Sequence, residues 1–332
     1  MLQRWLRAID RYQQRRRWLA FPFAVNKKFG DDQGGYLAAL IAYYGFFSLF
    51  PLLLVFTSIL GLVVHKDSSL YDSIKHSAVR NFPVIGKDLS LGTIKGNGLA
   101  LGVGIAGTLW AGLGVTQAAQ YAMNEIWDVP LTDRPNFLIS RARGLLMLAI
   151  LGTMTVVSSF ASGVGGSGAN LPLRIAGIAV SFVLNLGLFL VAYRVLTRRN
   201  LSWADVFPGA ITAAVLWTVL QTVGGYYVTH QLKNASNTYG TFALVIGLLV
   251  WIYLGAQLTL LCAEINVVKV RHLWPRSIVQ PPVIEGDKHV MRAAAETERR
   301  RPEEKIHVSF DDSDEQQDQP RQEPPYRQAG SS

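Results

Sequence analysis

Residues 36–64 read YLAALIAYYGFFSLFPLLLVFTSILGLVV, a run of 29 residues with no Asp, Glu, Lys or Arg. An α-helix rises about 1.5 Å per residue, so roughly 20 apolar residues cross the hydrocarbon core of a bilayer. This run is long enough to cross with room for tilt or interfacial ends. Five more blocks free of those four residues follow, at 96–124, 144–173, 175–193, 206–232 and 234–263. Buried helices of soluble proteins rarely stay uncharged over such lengths, and six in one chain point to a membrane protein. In hydrocarbon every backbone N–H and C=O must be paired within the protein, which leaves helices or a closed barrel. Barrels are built from short segments of alternating polarity, whereas these blocks are continuously apolar. The sequence therefore predicts an all-α polytopic membrane protein with six transmembrane helices. The count of six depends on the fourth block, which has only 19 residues between Arg174 and Arg194.

The charges crowd between the blocks. Only 17% of the 332 residues are charged, against about 25% in an average soluble domain. The first 35 residues carry eight Lys or Arg, the connections 125–143 and 194–205 three each, and residues 264–332 eleven. The opposite side receives seven of the 32. Positive residues concentrate on the cytoplasmic side of membrane proteins, so both termini are expected in the cytoplasm. The net charge of +9 then reflects this topology and attraction to anionic lipid headgroups. No nucleic acid is expected as a partner. The single cysteine, Cys262, excludes an intrachain disulfide and a cysteine-built metal cluster. It reads as a small packing residue in the bilayer.

Three regions follow from these boundaries: a basic N-terminal segment (1–35), a six-helix membrane domain (36–273) and a tail (274–332). Within residues 1–21, Leu2, Trp5, Leu6, Ile9 and Tyr12 recur at helical spacing, with Arg4, Arg7, Arg11 and Arg15 mostly on the other face. A basic amphipathic helix carrying Trp is suited to lie on a bilayer surface and bind anionic lipids. The loop 65–95 is expected to hold a short helix around Tyr71, Ile74 and Ala78, and Gly163, Gly165, Gly166 and Gly168 an external turn. The tail combines few apolar residues with many charges and is predicted to be disordered and cytoplasmic.

Inside the blocks, Gly98/Gly102, Gly107/Ala111 and Gly114/Ala118 repeat a small-x-x-x-small pattern, which lets helix backbones approach closely. Helix 2 thus reads as a packing helix, facing the bundle or a homo-oligomer seam. Pro51 falls mid-helix and should kink it, whereas Pro208 reads as a first-turn residue. Polar groups in lipid are costly and face a bundle interior or a water path. The candidates are Gln117, Gln120, Asn185, Gln221, Gln257, Glu264 and Asn266. A candidate transport face combines Tyr43, Tyr44, Ser48, Asn185, Gln257, Glu264 and Asn266. Glu264 admits two readings: a proton or cation site, or an interfacial ion-pair partner of Arg194, Arg198 or Lys269. Helix ends tolerate charge, which favours the second.

Four ordered motifs carry a family resemblance. Residues 40–52 read LIAYYGFFSLFPL, 124–127 read NEIW, and 202–210 read SWADVFPGA. Residues 239–242 read YGTF, followed by LVWIYL at 249–254 and AEIN at 263–266. Over about residues 30–272 the chain resembles the YihY/virulence factor BrkB family. The resemblance implies an integral protein of the bacterial plasma (inner) membrane with six helices and no settled activity. Some members carry an old ribonuclease BN label, and some a link to serum resistance. Fast RNA hydrolysis needs a carboxylate-held metal or a His acid–base pair. The histidines (His65, His76, His230, His272, His289, His307) and the acids Asp31, Asp32, Glu125, Asp128, Asp133, Asp205 and Glu264 form no such motif in sequence. The expectation is therefore a non-enzyme, without catalytic residues, cofactor or metal. It is read as a transporter or exporter of envelope-related or lipid-like solutes, with a membrane scaffold and a ribonuclease as the alternatives.

Overall fold

The computed structural model describes residues 2–64, 98–164, 171–230, 241–280 and 283–310. Among these the regular structure is helical: α1 (Leu2–Arg15), α2 (Arg17–Asp31), α3 (Gly34–Val64), α4 (Gly98–Ile126), α5 (Phe137–Val164), α6 (Leu171–Val195), α7 (Trp203–His230), α8 (Thr241–Arg271) and α9 (Glu285–Thr297). The expected helix in loop 65–95, the turn at Gly165, Gly166 and Gly168, and residues 311–332 lie outside the described residues. Five segments are long and apolar enough to cross a membrane: Gly34–Val55, Leu101–Ile126, Phe137–Met154, Trp203–Gln221 and Val245–Arg271. The fourth block yields the shorter apolar stretch Ala179–Val195, within α6. The chain is an all-α polytopic membrane protein.

Helices α3 to α8 form a ring. Each packs on the next, and α8 closes the circle against α3, with α4 also packing on α8 across it. The buried apolar core sits at one end, where α2 packs on α8 and α3. Beyond Ala42, Ala118, Met147, Phe189, Ala214 and Ala256, no hydrophobic side chain among the described residues is buried. The core end also holds the connections 127–136 and 196–202 and both described terminal segments. It is called the basic end below.

Close approach between helices rests on glycines. A Cβ on Gly107 would meet the Pro51 Cβ at 3.0 Å, and one on Gly114 the Tyr44 ring at 2.8 Å. Gly104 faces Val55 in the same α3–α4 seam. Gly102 has nothing within 4 Å, so of the expected small-residue set Gly107 and Gly114 belong to the seam and Gly102 does not. The Pro51 ring thus fills a groove that the missing Gly107 side chain leaves open. On the other side of the ring, a Cβ on Gly209 would overlap the Cys262 carbonyl oxygen and the Asn266 side chain. Cys262 itself is buried and free.

Two sequence readings of the chain's local structure need correction. Helix α7 begins at Trp203, so Pro208 lies inside it and not in its first turn. The start is set by a reciprocal cap: the Ser202 hydroxyl accepts the Asp205 N–H (3.2 Å), and the Asp205 carboxylate accepts the Ser202 N–H (2.8 Å). That pairing satisfies two backbone donors at the helix start, a signal the charge count overlooked because Asp205 was taken as a block boundary. The helix expected over 1–21 is likewise broken at Arg16, whose backbone is extended (φ −111°, ψ 104°). In α1 the apolar residues are outward, with Trp5 73% exposed, while Asp10 and Gln13 are buried.

The tail departs most from its predicted disorder. Its segment 283–297 contains α9, with Asp287, Val290 and Thr297 buried. Composition averaged over 274–332 hides this, because the segment is held by specific ion pairs and not by a large apolar face. Arg276 is almost completely buried and pairs with both Asp31 (2.7 Å) and Asp287 (2.5 Å). Gln13 donates to the Arg276 carbonyl at 2.6 Å, and Asp10 accepts the Ile278 N–H at 3.0 Å. The N-terminal helices and the proximal tail therefore clasp each other.

Substituting Gly209→Leu is expected to lower the melting temperature of the detergent-solubilised protein, with overpacking costing about 1–3 kcal/mol. Gly102→Ala is expected to leave it unchanged. Equal behaviour of the two variants would contradict the close approach of α7 and α8.

Candidate functional site

Three helices stop at the basic end on non-glycine residues in left-handed conformation: Gln33 (φ 54°) after α2, Asp128 (φ 47°) after α4 and His272 (φ 56°) after α8. Asp is among the few residues that tolerate this region. The Val129 N–H returns to the Asn124 carbonyl at 2.8 Å, and the Leu273 N–H to Val268 at 3.1 Å, which closes the orphan carbonyls of α4 and α8. These turns aim the Asp128 carboxylate inward. Its side chain is 4% exposed.

Lys28, on α2, is buried at the centre. Its ammonium donates to Asp32 one turn on, to Asp128 at 3.3 Å and to the Ile126 carbonyl at 3.3 Å. Arg271, at the end of α8, pairs with the second Asp128 oxygen and donates to the Trp127 carbonyl at 2.8 Å. Glu264 on α8 is 0% exposed and interacts electrostatically with Lys28, Asp32 and Asp128. No N–H or O–H group donates to either of its carboxyl oxygens, and the Asp32 carboxyl lies within hydrogen-bonding reach, so the two acids can share a proton. Two cations thus face three carboxyl groups, and one bound proton would balance the cluster. Burial pushes the Asp32 carboxyl up to about 6 despite the downward pull of Lys28. Burial also opposes the charge on Lys28, but Glu264, Asp32 and Asp128 together outweigh it and hold the ammonium above its ordinary value.

Buried polar side chains next to the cluster lock the helices together. The Asn266 carbonyl accepts the Gly209 N–H at 2.7 Å. The Asn124 carbonyl accepts the Arg198 N–H at 2.9 Å, and the Tyr193 hydroxyl donates to the Thr259 carbonyl at 2.9 Å. Gln120 and Ser140 exchange hydrogen bonds between α4 and α5. Asn266 and Gln120 are therefore helix ties. Outside the cluster, Asp287 accepts from Lys27 (2.8 Å) and from the Ser277 N–H (3.0 Å). Burial raises the Asp287 carboxyl, but these bonds together with those from Arg276 and the Ser277 hydroxyl bring it down to about 2.

The seven residues of the expected transport face do not form one hydrogen-bonded surface. Glu264 and Asn266 are buried at the basic end, and Gln257 lies about 10 Å further along α8. Tyr43 (56% exposed) and Tyr44 form an edge-on ring pair, and the Ser48 hydroxyl donates to its own helix at Gly45 (2.7 Å). Asn185 is half-buried. No hydrogen bond among the described residues joins any two of the seven. Glu264 also has a different neighbour from those anticipated: it faces Lys28, and Arg194, Arg198 and Lys269 do not reach it within ion-pair distance. Sequence reading passed over Lys28, Asp32, Asp128 and Arg271 as site residues. The i, i+4 spacing of Lys28 and Asp32 was a usable signal, whereas Asp128 and Arg271 are 143 residues apart and meet only in the fold. Among the described residues, no group of three His, Cys, Asp or Glu side chains is placed to hold a metal ion.

Fold and site together define a multi-pass membrane protein whose helices are tied at one end by buried ions. A family description, virulence factor BrkB, matches residues 25–277, a span that includes all five members of the cluster. The chain belongs to the virulence factor BrkB family. It is 27% identical to "Putative ribonuclease-like protein YfkH" of Bacillus subtilis, over 70% of this chain and 89% of that one. It is 24% identical to "Inner membrane protein YhjD" of Escherichia coli, over 75% and 81% of the two chains. A "UPF0761 membrane protein" of Stenotrophomonas maltophilia is 27% identical over 78% of this chain and 62% of its own length. No solved structure matches.

Lys28→Met removes the central cation from three carboxyl groups and should destabilise the fold by about 3–5 kcal/mol, read as a loss of melting temperature. The pH profile separates the two acid clusters. Asp32, raised in the folded state from the ordinary 3.8 to about 6, contributes stability below about pH 4 that is lost as pH rises through 6. Asp32→Asn should remove that slope. Asp287, lowered from 3.8 to about 2, contributes stability above about pH 4 that is lost as pH falls through 2. Asp287→Asn should flatten only the acid limb.

Proposed function

We propose that this BrkB-family protein is an inner-membrane transporter of envelope-related or lipid-like solutes, with its ring of helices held shut at the basic end by the Lys28 cluster. The observation that carries the reading is Glu264, a fully buried carboxyl on a membrane-crossing helix that receives no N–H or O–H bond and is set against the Asp32 carboxyl. An ionisable group in such a place is expensive and usually marks an ion or substrate path. The packing of the described residues supports it: their buried apolar core gathers at the basic end of the ring, around the cluster. Loss of the balancing proton would set three carboxylates against two cations, loosen the junction and let α2 and α8 part. Tyr43, Tyr44, Ser48, Asn185 and Gln257 would line the path above Glu264.

Six crossings accompany this proposal, with both termini in the cytoplasm. The clasp between the N-terminal helices and the tail supports an even number, and with it a crossing by α6, whose described apolar stretch is the shortest. The outward apolar face of α1 would rest in the interfacial layer, its arginines meeting anionic headgroups. The protein is read as a non-enzyme because the carboxylates that converge are already countered by Lys28 and Arg271. The scaffold reading draws on the clasped termini, which could present a partner surface.

The test is flux of amphiphilic solutes in proteoliposomes. Wild-type protein should move at least one lipid-like solute, and Glu264→Gln should reduce the rate at least tenfold while retaining its melting temperature. Equal flux in both would remove Glu264 from the mechanism, and no flux of any such solute would leave the scaffold. Metal-dependent RNA cleavage by the purified chain would restore the enzyme reading. Reporter fusions at Ser332 and at loop 65–95 should report opposite sides.

A further inference from the structure

Cations at the basic end are compensated unevenly, and four that lack a carboxylate partner share one cleft. Lys27, Lys28, Arg134, Arg271, Arg276 and Arg299 each pair with a carboxylate. Arg143, Arg194, Arg198 and Arg199 have no carboxylate within ion-pair distance among the described residues. These four gather where the first turns of α5, the end of α6 and the connection 196–202 meet. They surround two adjoining clefts that share Arg198, Arg199 and Asn200. The smaller, about 300 Å³, is lined by all four arginines, and the larger, about 660 Å³, extends towards Arg134, Asn136 and Asp133, whose carboxylate is taken up by Arg299.

The arginines are held in place and not merely collected. The Arg194 guanidinium stacks on the Trp203 ring at 4.4 Å, which leaves its N–H edges free. Arg143 donates to the Thr197 carbonyl at 3.5 Å. The Arg198 backbone is fixed by the buried Asn124, and Thr197 and Leu201 anchor the connection from either side. Arg143 lies close enough to Arg198, and Arg199 to Arg271, for their charges to repel. Asp128 and Glu296 offset part of the repulsion at Arg199, but like charges held together with no carboxylate at ion-pair distance still cost free energy that an anion recovers, and guanidinium groups match phosphate oxygens in paired geometry. The exposed Trp203 and Phe137 beside the clefts are the kind of aromatic residues found at headgroup level.

We propose that the Arg143, Arg194, Arg198 and Arg199 cleft is a binding site for a phosphate-bearing anion. The phosphate is supplied either by the headgroup of an anionic phospholipid or by a soluble phosphate compound. This site is separate from the Glu264 cluster and does not rest on the transport reading.

The experiment uses the full chain in a neutral detergent. Native mass spectrometry measures retention of added phosphatidylglycerol against phosphatidylcholine, and a thermal-shift titration measures the response to inorganic pyrophosphate. Wild-type protein should retain phosphatidylglycerol preferentially or be stabilised by pyrophosphate. The double substitution Arg198→Gln with Arg199→Gln should reduce whichever response is seen at least tenfold. Lys269→Gln, an exposed charge on α8, should leave it unchanged. Arg198→Lys with Arg199→Lys keeps the charge, serves where the glutamine variant fails to fold, and should fall between. Loss of lipid on adding pyrophosphate would identify phosphate alone as the recognised group, and retention of lipid would identify the membrane as the source. The proposal is overturned if wild-type protein shows neither response, or if a folded double variant keeps the wild-type one.

Discussion

A lysine ammonium sealed from water is tolerable only where negative charge surrounds it, and Lys28 makes the basic end of this protein converge to meet that need. Its partners come from the end of α2, the turn after α4 and the inner part of α8, three elements far apart in sequence. Each must stop at a set residue for its carboxyl group to arrive. The left-handed turns at Gln33, Asp128 and His272, the Asn124 and Asn266 ties and the Gly209 contact are all features that let these backbones end close together. The apolar core fills the same region, so burial and ion pairing reinforce one another at one end of the ring.

The membrane character of the chain was legible because it depends on a local quantity, the length of uncharged sequence. Helices α3, α4, α5, α7 and α8 follow directly from the blocks. The role of Gly107 and Gly114 could be read from spacing because a helix repeats every 3.6 residues. Helix α6 was harder, since Arg174 and Arg194 shorten the apolar run without shortening the helix, which spans Leu171–Val195.

The site was legible in only one of its members. Glu264 stood out because an acid next to an apolar block is conspicuous. Lys28, Asp128 and Arg271 did not, because they lie in charge-rich connections where any one residue looks like an ordinary solvated group. Asp128 and Asp133 both pair with residues far along the chain, and only burial in the fold distinguishes Asp128 from Asp133, which pairs with Arg299 at the surface. The tail shows the same limit in another form. Its composition describes a solvated chain, yet Arg276 and Asp287 supply the specific contacts that hold a 13-residue helix in place.

The clasp also sets an order for biosynthesis. Lys27 and Asp31 leave the ribosome within the first tenth of the chain, but Arg276 and Asp287 are made only after the last membrane helix. During elongation the N-terminal helices therefore wait with unmatched charges while the ring is inserted around them. The final stitch, Arg276 to Asp31 and Asp287 to Lys27, joins the oldest and newest parts of the chain. A product that ends before residue 276 would keep its membrane helices yet leave its start exposed, a difference that a quality-control protease could read.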